Sequence, residues 1–156
     1  MPVTLRHLDV QLFPAWLERS RDEYAKDLVT MGQTPEDAHR AASESMARCF
    51  PSGAPRPGHA VFDVVDDAGE AVGYLWIGPD TSDDDGAWWV WDVTIDADKR
   101  GRGFGRAAMV LGEEYARTQG AHTLGLNVFG FNTGARGLYE SLGYETTTIK
   151  MRKALA

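Results

Sequence analysis

Glycines and arginines alternate in one short stretch of this chain, and their types and spacing are suited to phosphate binding. The stretch reads Arg100-Gly101-Arg102-Gly103-Phe104-Gly105-Arg106. Glycine removes the side chains that would keep a phosphate away from the backbone, and the arginine guanidinium group offers fork-shaped donors to phosphate oxygens. The sequence therefore predicts a local anion-binding loop.

The elements on either side place this loop at the start of a helix. Ala87 to Ile95 is an apolar run typical of a strand in the middle of a sheet. Between Gly103 and Gln119, apolar residues recur on one helical face. A helix N-terminus exposes unpaired N–H groups and the positive end of the helix dipole, so a strand, a glycine loop and a helix in this order form a phosphate cradle.

Two other interpretations of the loop stay open. A glycine-rich turn with solvated arginines is one, and dinucleotide binding is the other, since Gly103 to Ala108 matches G-x-G-x-x-A. That fingerprint normally opens a βαβ unit whose next strand ends in an acidic residue that meets the ribose. Here the next strand ends at Asn127-Val128-Phe129-Gly130, without an acid. The sequence therefore favours a different phosphate-bearing ligand.

The whole chain predicts an α/β domain with an α+β mixed sheet and the element order ααβββαβαβ. The helical part lies in residues 1–58 and the sheet part in 60–156, within one domain of 1–156. Thr34 and Pro35 mark the start of the second helix, and Asn132 caps a short one. The fourth and fifth strands, which lie on either side of the last helix, are expected to be parallel. The predicted strands are Ala60 to Val65, Ala71 to Ile77, Ala87 to Ile95, His122 to Phe129 and Glu145 to Arg152.

Two blocks resemble the signatures of the GNAT family of acetyl-CoA-dependent N-acetyltransferases. Arg100 to Gly105 is similar to R/Q-x-x-G-x-G/A, and Asn132 to Tyr144 is similar to N-x-x-A-x-x-L-Y-x-x-x-G-F/Y. The resemblance covers the half of the chain from about Trp88 onward. It implies a GNAT-like acyl-CoA N-acyltransferase fold with central strands splayed around the cofactor. It also implies acetyl transfer to a primary amine of a small molecule or peptide, by direct attack through a tetrahedral intermediate.

The same resemblance assigns residues to the donor, acetyl-CoA. The loop backbone would hold the pyrophosphate of coenzyme A, and a strand segment would pair with the pantetheine arm, whose amides suit β-type pairing. Capping alone would also explain Asn132. The assigned residues are Val93, Thr94, Ile95, Arg100, Gly101, Arg102, Gly103, Phe104, Gly105, Arg106, Asn132 and Arg136.

Tyr139 occupies the position of the family's general acid. A phenol with a pKa of about 10 stays protonated at neutral pH and can protonate a leaving thiolate. The alternative is that Tyr139 is a core aromatic residue, because Ala135, Leu138 and Leu142 share its helical face. The resemblance favours the catalytic role.

Asp92 is the candidate general base. It lies in an apolar strand, where burial would raise a carboxyl pKa. Strand alternation predicts Trp91, Val93 and Ile95 on one face, and Asp92 and Thr94 on the other. A structural aspartate in the sheet, or deprotonation through water, remains an alternative.

Charge and composition limit the partners. A net charge of -7 and a pI of about 5.0 argue against a general nucleic-acid binder and favour a cationic small molecule. Cys49 is the only cysteine, and the histidines lack metal-ligand spacing, so neither a disulfide nor a metal is expected. No run of residues resembles a signal core or a membrane span, which favours a cytoplasmic protein.

Two functional classes remain at this point. The favoured class is an acetyl-CoA-dependent N-acetyltransferase, and the alternative is a non-catalytic acyl-CoA-binding sensor or interaction module. The exposed edge of a terminal strand could also support a homodimer.

Overall fold

A mixed β-sheet forms the centre of this computed structural model, which describes residues 3–156. Its order is β1-β2-β3-β4-β5; neighbours among the first four strands are antiparallel, and β4 and β5 are parallel. The predicted α/β class with a mixed sheet is therefore confirmed. The strands are β1 (Thr4–His7), β2 (Ala60–Val65), β3 (Ala71–Pro79), β4 (Ala87–Ile95) and β5 (Thr123–Leu126).

The helices begin where local sequence signals place them. The Thr34 side chain accepts a 3.2 Å hydrogen bond from the Asp37 N–H, a cap that contributes about 1 kcal/mol. The Asn132 side chain accepts a 3.3 Å hydrogen bond from the Ala135 N–H in the same way. Both starts were predicted. The α-helices in the described residues are α1 (Phe13–Thr30), α2 (Pro35–Cys49), α3 (Phe104–Thr118) and α4 (Thr133–Ser141).

The two faces of the sheet pack against different helices. Tyr74 and Trp76 of β3 pack with residues of α1 and α2, whereas Leu75 and Ile77 pack with residues of α3. This division follows from the alternation of side chains along a strand. Each face therefore has its own apolar cluster, with Phe13, Trp16, Met46 and Phe50 on one side and Phe104, Ala108, Met109 and Ala116 on the other.

A β-bulge in β4 changes that alternation. Trp76 pairs with Asp92 and Ile77 pairs with Val90, so Trp91 is an additional residue in β4. A bulge increases local twist and redirects the side chains that follow. The sequence contained no unambiguous signal for it.

The bulge makes one predicted face assignment wrong. Trp91 stacks on Trp76 at 5.5 Å, on the α1 side of the sheet, and Asp92 is hydrogen-bonded on that same side. Trp91 therefore shares a face with Asp92, because the additional residue resets the alternation. Val93 and Ile95 pack on the α3 side, opposite Asp92, as predicted.

The strands β4 and β5 separate after a short paired region. Their register runs from Ala87 opposite Thr123 to Val90 opposite Leu126. β4 continues to Ile95, so its second half has no β5 partner among residues 3–156. The predicted splay of the central strands is present here.

The bounds of the helical part and of the strand after α3 differ from the prediction. Thr4–His7 forms β1 against β2, so residues 1–58 are not purely helical; four residues that are mostly exposed carry too little periodicity to reveal a strand. β5 ends at Leu126 instead of Phe129 because the pairing with β4 ends there.

The predicted closing strand, Glu145 to Arg152, is wrong, and so is its expected parallel pairing with the strand before α4. Within the described residues no strand follows α4, and this segment is exposed throughout, with Ile149 73% exposed. Threonine-rich sequence favours a strand only where a neighbouring strand and a buried face are present.

The helices also bear on membrane association. None in residues 3–156 has both the length and the apolar character that crossing a bilayer requires.

Candidate active site

The loop between β4 and α3 has the backbone geometry that phosphate binding requires. Gly101 and Gly103 have φ angles of +76° and +86°, in the left-handed region that favours glycine. A Cβ atom at either position would meet nothing within 4 Å, so the space over the loop is open. Phe104, directly after the loop, is buried in the α3-side cluster, so only its backbone is left to meet a phosphate.

The N-terminus of α3 is not capped by a side chain. Gly103 is the N-cap residue and carries no hydrogen-bonding group, so the N–H groups of the first turn are available to an external acceptor. Gly105 lies in this turn, and a Cβ there would meet Leu138 of α4 at 3.4 Å. α3 and α4 therefore lie close together at the loop.

The three arginines of the loop are each held by a nearby oxygen. Arg100 Nε donates to the Ile95 carbonyl at 2.9 Å, and Arg102 Nη2 donates to the Asp98 carbonyl at 3.5 Å. Arg106 Nη2 donates to Ser141 Oγ at 2.6 Å, which links α3 to α4. Their remaining N–H groups keep positive charge at the mouth of the cradle.

The strand segment assigned to the donor lies beside this loop. Val93, Thr94 and Ile95 are half-buried and belong to the half of β4 that has left β5. The backbone groups on that edge could pair with an extended ligand that carries amides. The Ile95 carbonyl is the exception, since it already accepts from Arg100.

Asp92 is held by two hydroxyl groups from other elements. Ser20 Oγ of α1 and Tyr74 Oη of β3 donate to Asp92 Oδ2 at 2.8 and 2.7 Å. Burial raises the pKa of Asp92, and the negative charge of Glu23 raises it further, while the hydrogen bonds oppose the rise. A carboxyl with a raised pKa is suited to accept a proton near neutral pH.

Tyr139 of α4 is half-buried and lies within electrostatic reach of Asp92. Burial raises its pKa, and the charge of Asp92 raises it further. Its ring meets the ring of Tyr144 edge-on, with centroids 6.1 Å apart. The phenol therefore stays protonated through the neutral range, as a proton donor must.

Asn132 and Arg136 lie at the start of α4, and both are exposed. The side-chain Oδ1 atom of Asn132 caps the helix, and the side-chain amide N–H groups take no part in the cap. Arg136 Nη1 donates to the Gly130 carbonyl at 3.4 Å. The structure thus accounts for Asn132 as a cap, and the Arg136 side chain contacts the loop that precedes α4.

Four residues that no sequence motif marked also lie at this site: Ser20, Glu23, Asp27 and Tyr74. A signal for Ser20 existed, because it follows Phe13 and Trp16 at helical spacing and is therefore a polar residue on the buried stripe of α1. Burial, then the charges of Glu23 and Asp92, raise the pKa of Asp27. The three carboxyl groups therefore lie near one another on the α1 side.

Metal chemistry has no candidate site in the described residues. No group of three or more His, Cys, Asp or Glu side chains within residues 3–156 is placed to hold a metal ion.

Comparison with known proteins identifies the relatives of this chain. Residues 13–144 match the model of the acetyltransferase (GNAT) family. The uncharacterized N-acetyltransferase YdgE of Bacillus subtilis is 30% identical over 156 residues, which cover 99% of each chain. A crystal structure of YycN from Bacillus subtilis, which is named an uncharacterized N-acetyltransferase, has a TM-score of 0.92 and 27% identity, and covers 99% of both chains. The mycothiol acetyltransferase of Thermobispora bispora is 31% identical over 86% of this chain and 43% of its own length.

Proposed function

This chain belongs to the acetyltransferase (GNAT) family, and from that premise we propose that it transfers the acetyl group of acetyl-CoA to a cationic primary amine. The full-length relatives are named N-acetyltransferases, and the family resemblance seen in the sequence is confirmed. The observation that carries the proposal is the position of Asp92. It has a raised pKa, its charge acts on Tyr139, and it lies where β4 leaves β5.

The residues present fit acetyl-CoA as the donor. The open space over Gly101 and Gly103 and the uncapped first turn of α3 suit a pyrophosphate, and Arg106 adds positive charge. The unpaired edge of β4 suits the amides of a pantetheine arm. When bound, the donor supplies the thioester carbonyl that an amine attacks.

The base in this proposal is Asp92. A protonated amine is not a nucleophile, so a group near the thioester must remove its proton. The raised pKa of Asp92 brings this carboxyl closer to the working pH than an ordinary aspartate. Deprotonation through water is the competing route, and it predicts that Asp92→Asn keeps the wild-type pH profile of kcat/KM.

The acid is Tyr139. After the amine nitrogen bonds to the thioester carbon, the tetrahedral intermediate breaks at the C–S bond and leaves a thiolate. Transfer of the phenolic proton to sulfur completes that step. The raised pKa of Tyr139 keeps the phenol protonated until then.

The acceptor class follows from the charge on the α1 side of the sheet. Glu23, Asp27 and Asp92 place negative charge on this side, and the chain as a whole carries a net charge of -7. Such a field concentrates cations and disfavours anionic acceptors. Polyamines, aminoglycosides, amino-acid amides and peptides with a free amine are therefore the classes to test.

The test is thiol release from acetyl-CoA in the presence of each amine. We expect release that depends on the acceptor and is fastest with polycationic amines. Tight acetyl-CoA binding without acceptor-dependent release across the whole panel would instead identify a sensor. Equal rates with anionic and cationic amines would remove the acceptor part of the proposal.

A further inference from the structure

We propose that Ser20 and Tyr74 are positioning residues for the reaction: they hold Asp92 by its Oδ2 atom and leave Oδ1 to take the proton of the acceptor amine. This inference rests on the proposed function, in which Asp92 is the base.

The hydrogen bonds to the carboxylate are unequally divided between its two oxygens. Ser20 Oγ and Tyr74 Oη both donate to Oδ2, at 2.8 and 2.7 Å. Among residues 3–156, Oδ1 has only the Thr94 hydroxyl as a donor, at 3.5 Å, the limit of a hydrogen bond. Oδ2 is thus saturated with strong donors, and the lone pairs of Oδ1 remain for another proton.

Both donors are shielded from water. Ser20 is 3% exposed and Tyr74 is 1% exposed. Ser20 is also the only polar or charged residue that is fully buried among residues 3–156. Buried polar side chains are usually satisfied by a specific partner, and here both hydroxyls have the same one.

Tyr74 can act only as a donor toward Asp92. Burial raises the pKa of Tyr74 far above the ordinary range of a phenol, and the charge of Asp92 raises it further. The phenol therefore stays protonated at every working pH. Donation to a carboxylate stabilises its charged form, so both hydroxyls lower the pKa of Asp92 against the effect of burial.

The elements that carry the two donors are fixed relative to the base. The Tyr74 ring meets the Trp16 ring edge-on at 5.5 Å, and the Arg19 guanidinium lies 5.1 Å from the Tyr74 ring centroid. Arg19 also forms a 2.6 Å ion pair with Asp96, just after β4. Because α1 contacts both β3 and the residue just after β4, the distance between Ser20 and Asp92 is fixed.

Several titratable groups lie within electrostatic reach of Asp92, and they determine the design of the test. Glu23 and Asp27 of α1 are anionic neighbours, Tyr74 comes from β3, and Tyr139 comes from α4. The test variants, Ser20→Ala and Tyr74→Phe, leave all of the charges in place. A shift in the pH profile of either variant then reports the lost hydrogen bond.

The experiment measures kcat/KM for one amine acceptor against pH in the full-length enzyme. Removing either donor raises the pKa of Asp92, so we expect the acid limb to move to higher pH by about one unit, with a lower kcat. Ser20→Thr keeps a hydroxyl and should retain the wild-type limb. The acetyl-CoA Kd should be unchanged in all three variants, because neither donor lies in the loop.

Two control variants remove the same atoms elsewhere. Tyr115→Phe removes a phenolic oxygen from α3, and Ser45→Ala removes a hydroxyl from α2. Both should keep the wild-type acid limb. If they shift it as much as Tyr74→Phe and Ser20→Ala do, the positioning role is wrong.

Failure of this inference can be separated from failure of the proposed function. If Asp92→Asn loses activity while Ser20→Ala and Tyr74→Phe keep the wild-type limb and kcat, Asp92 is the base but the two hydroxyls do not position it. If Asp92→Asn keeps the wild-type limb, the base itself is wrong. Should Tyr74→Phe fail to fold, the comparison of Ser20→Ala with Ser20→Thr still tests the positioning role. Only Ser20→Ala should shift the acid limb of the kcat/KM profile.

Discussion

The charge of the Asp92 carboxylate, on β4, raises the pKa of the Tyr139 phenol, on α4. The two groups belong to different elements, and the negative charge of one acts on the other. Acetyl transfer to an amine needs one group that removes a proton and another that supplies one. This pair can do both, since the carboxylate can accept the proton of the amine and the phenol, protonated at neutral pH, can supply one.

Tyr139→Phe should lower turnover by about 10²- to 10⁴-fold, the usual contribution of a positioned acid. The acetyl-CoA Kd should not change, since the pyrophosphate is assigned to the loop backbone and not to this phenol. Tyr144→Phe is the matched control, because its hydroxyl donates to Glu113 at 2.8 Å and its ring adjoins Tyr139. We expect this control to lose about 1 kcal/mol of stability and keep its turnover. Near wild-type turnover in Tyr139→Phe, with chemistry rate-limiting, would exclude the phenol as the acid.

Asp92→Asn should stabilise the fold at neutral pH although it removes the proposed base. The folded-state pKa of Asp92 is raised, so its protonated form contributes stability that is complete below the unfolded pKa of about 4 and is lost as pH rises through the folded value. At pH 7 the variant avoids a buried charge. A Tm increase of at least about 2 °C, the shift that about 1 kcal/mol gives at this size, should shrink toward zero near pH 3 to 4.

The control for that stability change is Asp67→Asn, which removes an equal charge from the exposed β2–β3 turn. It should change Tm little at either pH. A Tm of Asp92→Asn that falls at pH 7, or rises equally at both pH values, would contradict a charge penalty at Asp92.

Gly103→Ala should weaken acetyl-CoA binding by at least about tenfold, the equivalent of one lost charge-assisted hydrogen bond. The new side chain narrows the approach to the α3 N-terminus. Gly69→Ala is a close control, since Gly69 has a φ of +83° against +86° at Gly103 and neither has an atom within 4 Å of an added Cβ. Both should cost about 1–2 kcal/mol of stability, but only Gly103→Ala should change the Kd. An equal Kd in the two variants would remove the loop from donor binding.

Removal of the acidic neighbours of Asp92 should weaken binding of the acceptor amine and leave acetyl-CoA binding unchanged. In Glu23→Gln/Asp27→Asn we expect the KM of a polycationic amine to rise several-fold, more at low than at high salt. The acetyl-CoA Kd should stay the same. Glu44→Gln, at an exposed position on α2, changes charge away from the site and should have no effect. An unchanged KM in the double variant would show that these carboxylates do not attract the amine.

The features of this fold that the sequence predicts depend on signals within a few residues of one another. Thr34 before Pro35 and Asn132 at the start of α4 act within a few residues, and the structure has the helices where these residues place them. Gly101 and Gly103 likewise have the positive φ angles that make a glycine loop recognisable. Such features depend on the backbone of the segment itself.

Features set by pairing between distant segments were not predictable in the same way. The bulge at Trp91 exists only in the register of β4 against β3, so alternation along β4 alone gave the wrong face for this residue. The strand β1 depends on β2, and the threonine-rich segment after Tyr144 has no strand partner in the described part of the chain. The role of Ser20 needed the position of α1 over Asp92.

Acetyl transfer itself is tested most directly by measuring thiol release and N-acetylated amine together, with acetyl-CoA and a polycationic acceptor. The wild-type enzyme should form one acetylated amine for each thiol released, and the Asp92→Asn/Tyr139→Phe variant should form neither above background while it still binds acetyl-CoA. Binding of acetyl-CoA by the wild type without acceptor-dependent thiol release, or equal product from the double variant, would contradict the account.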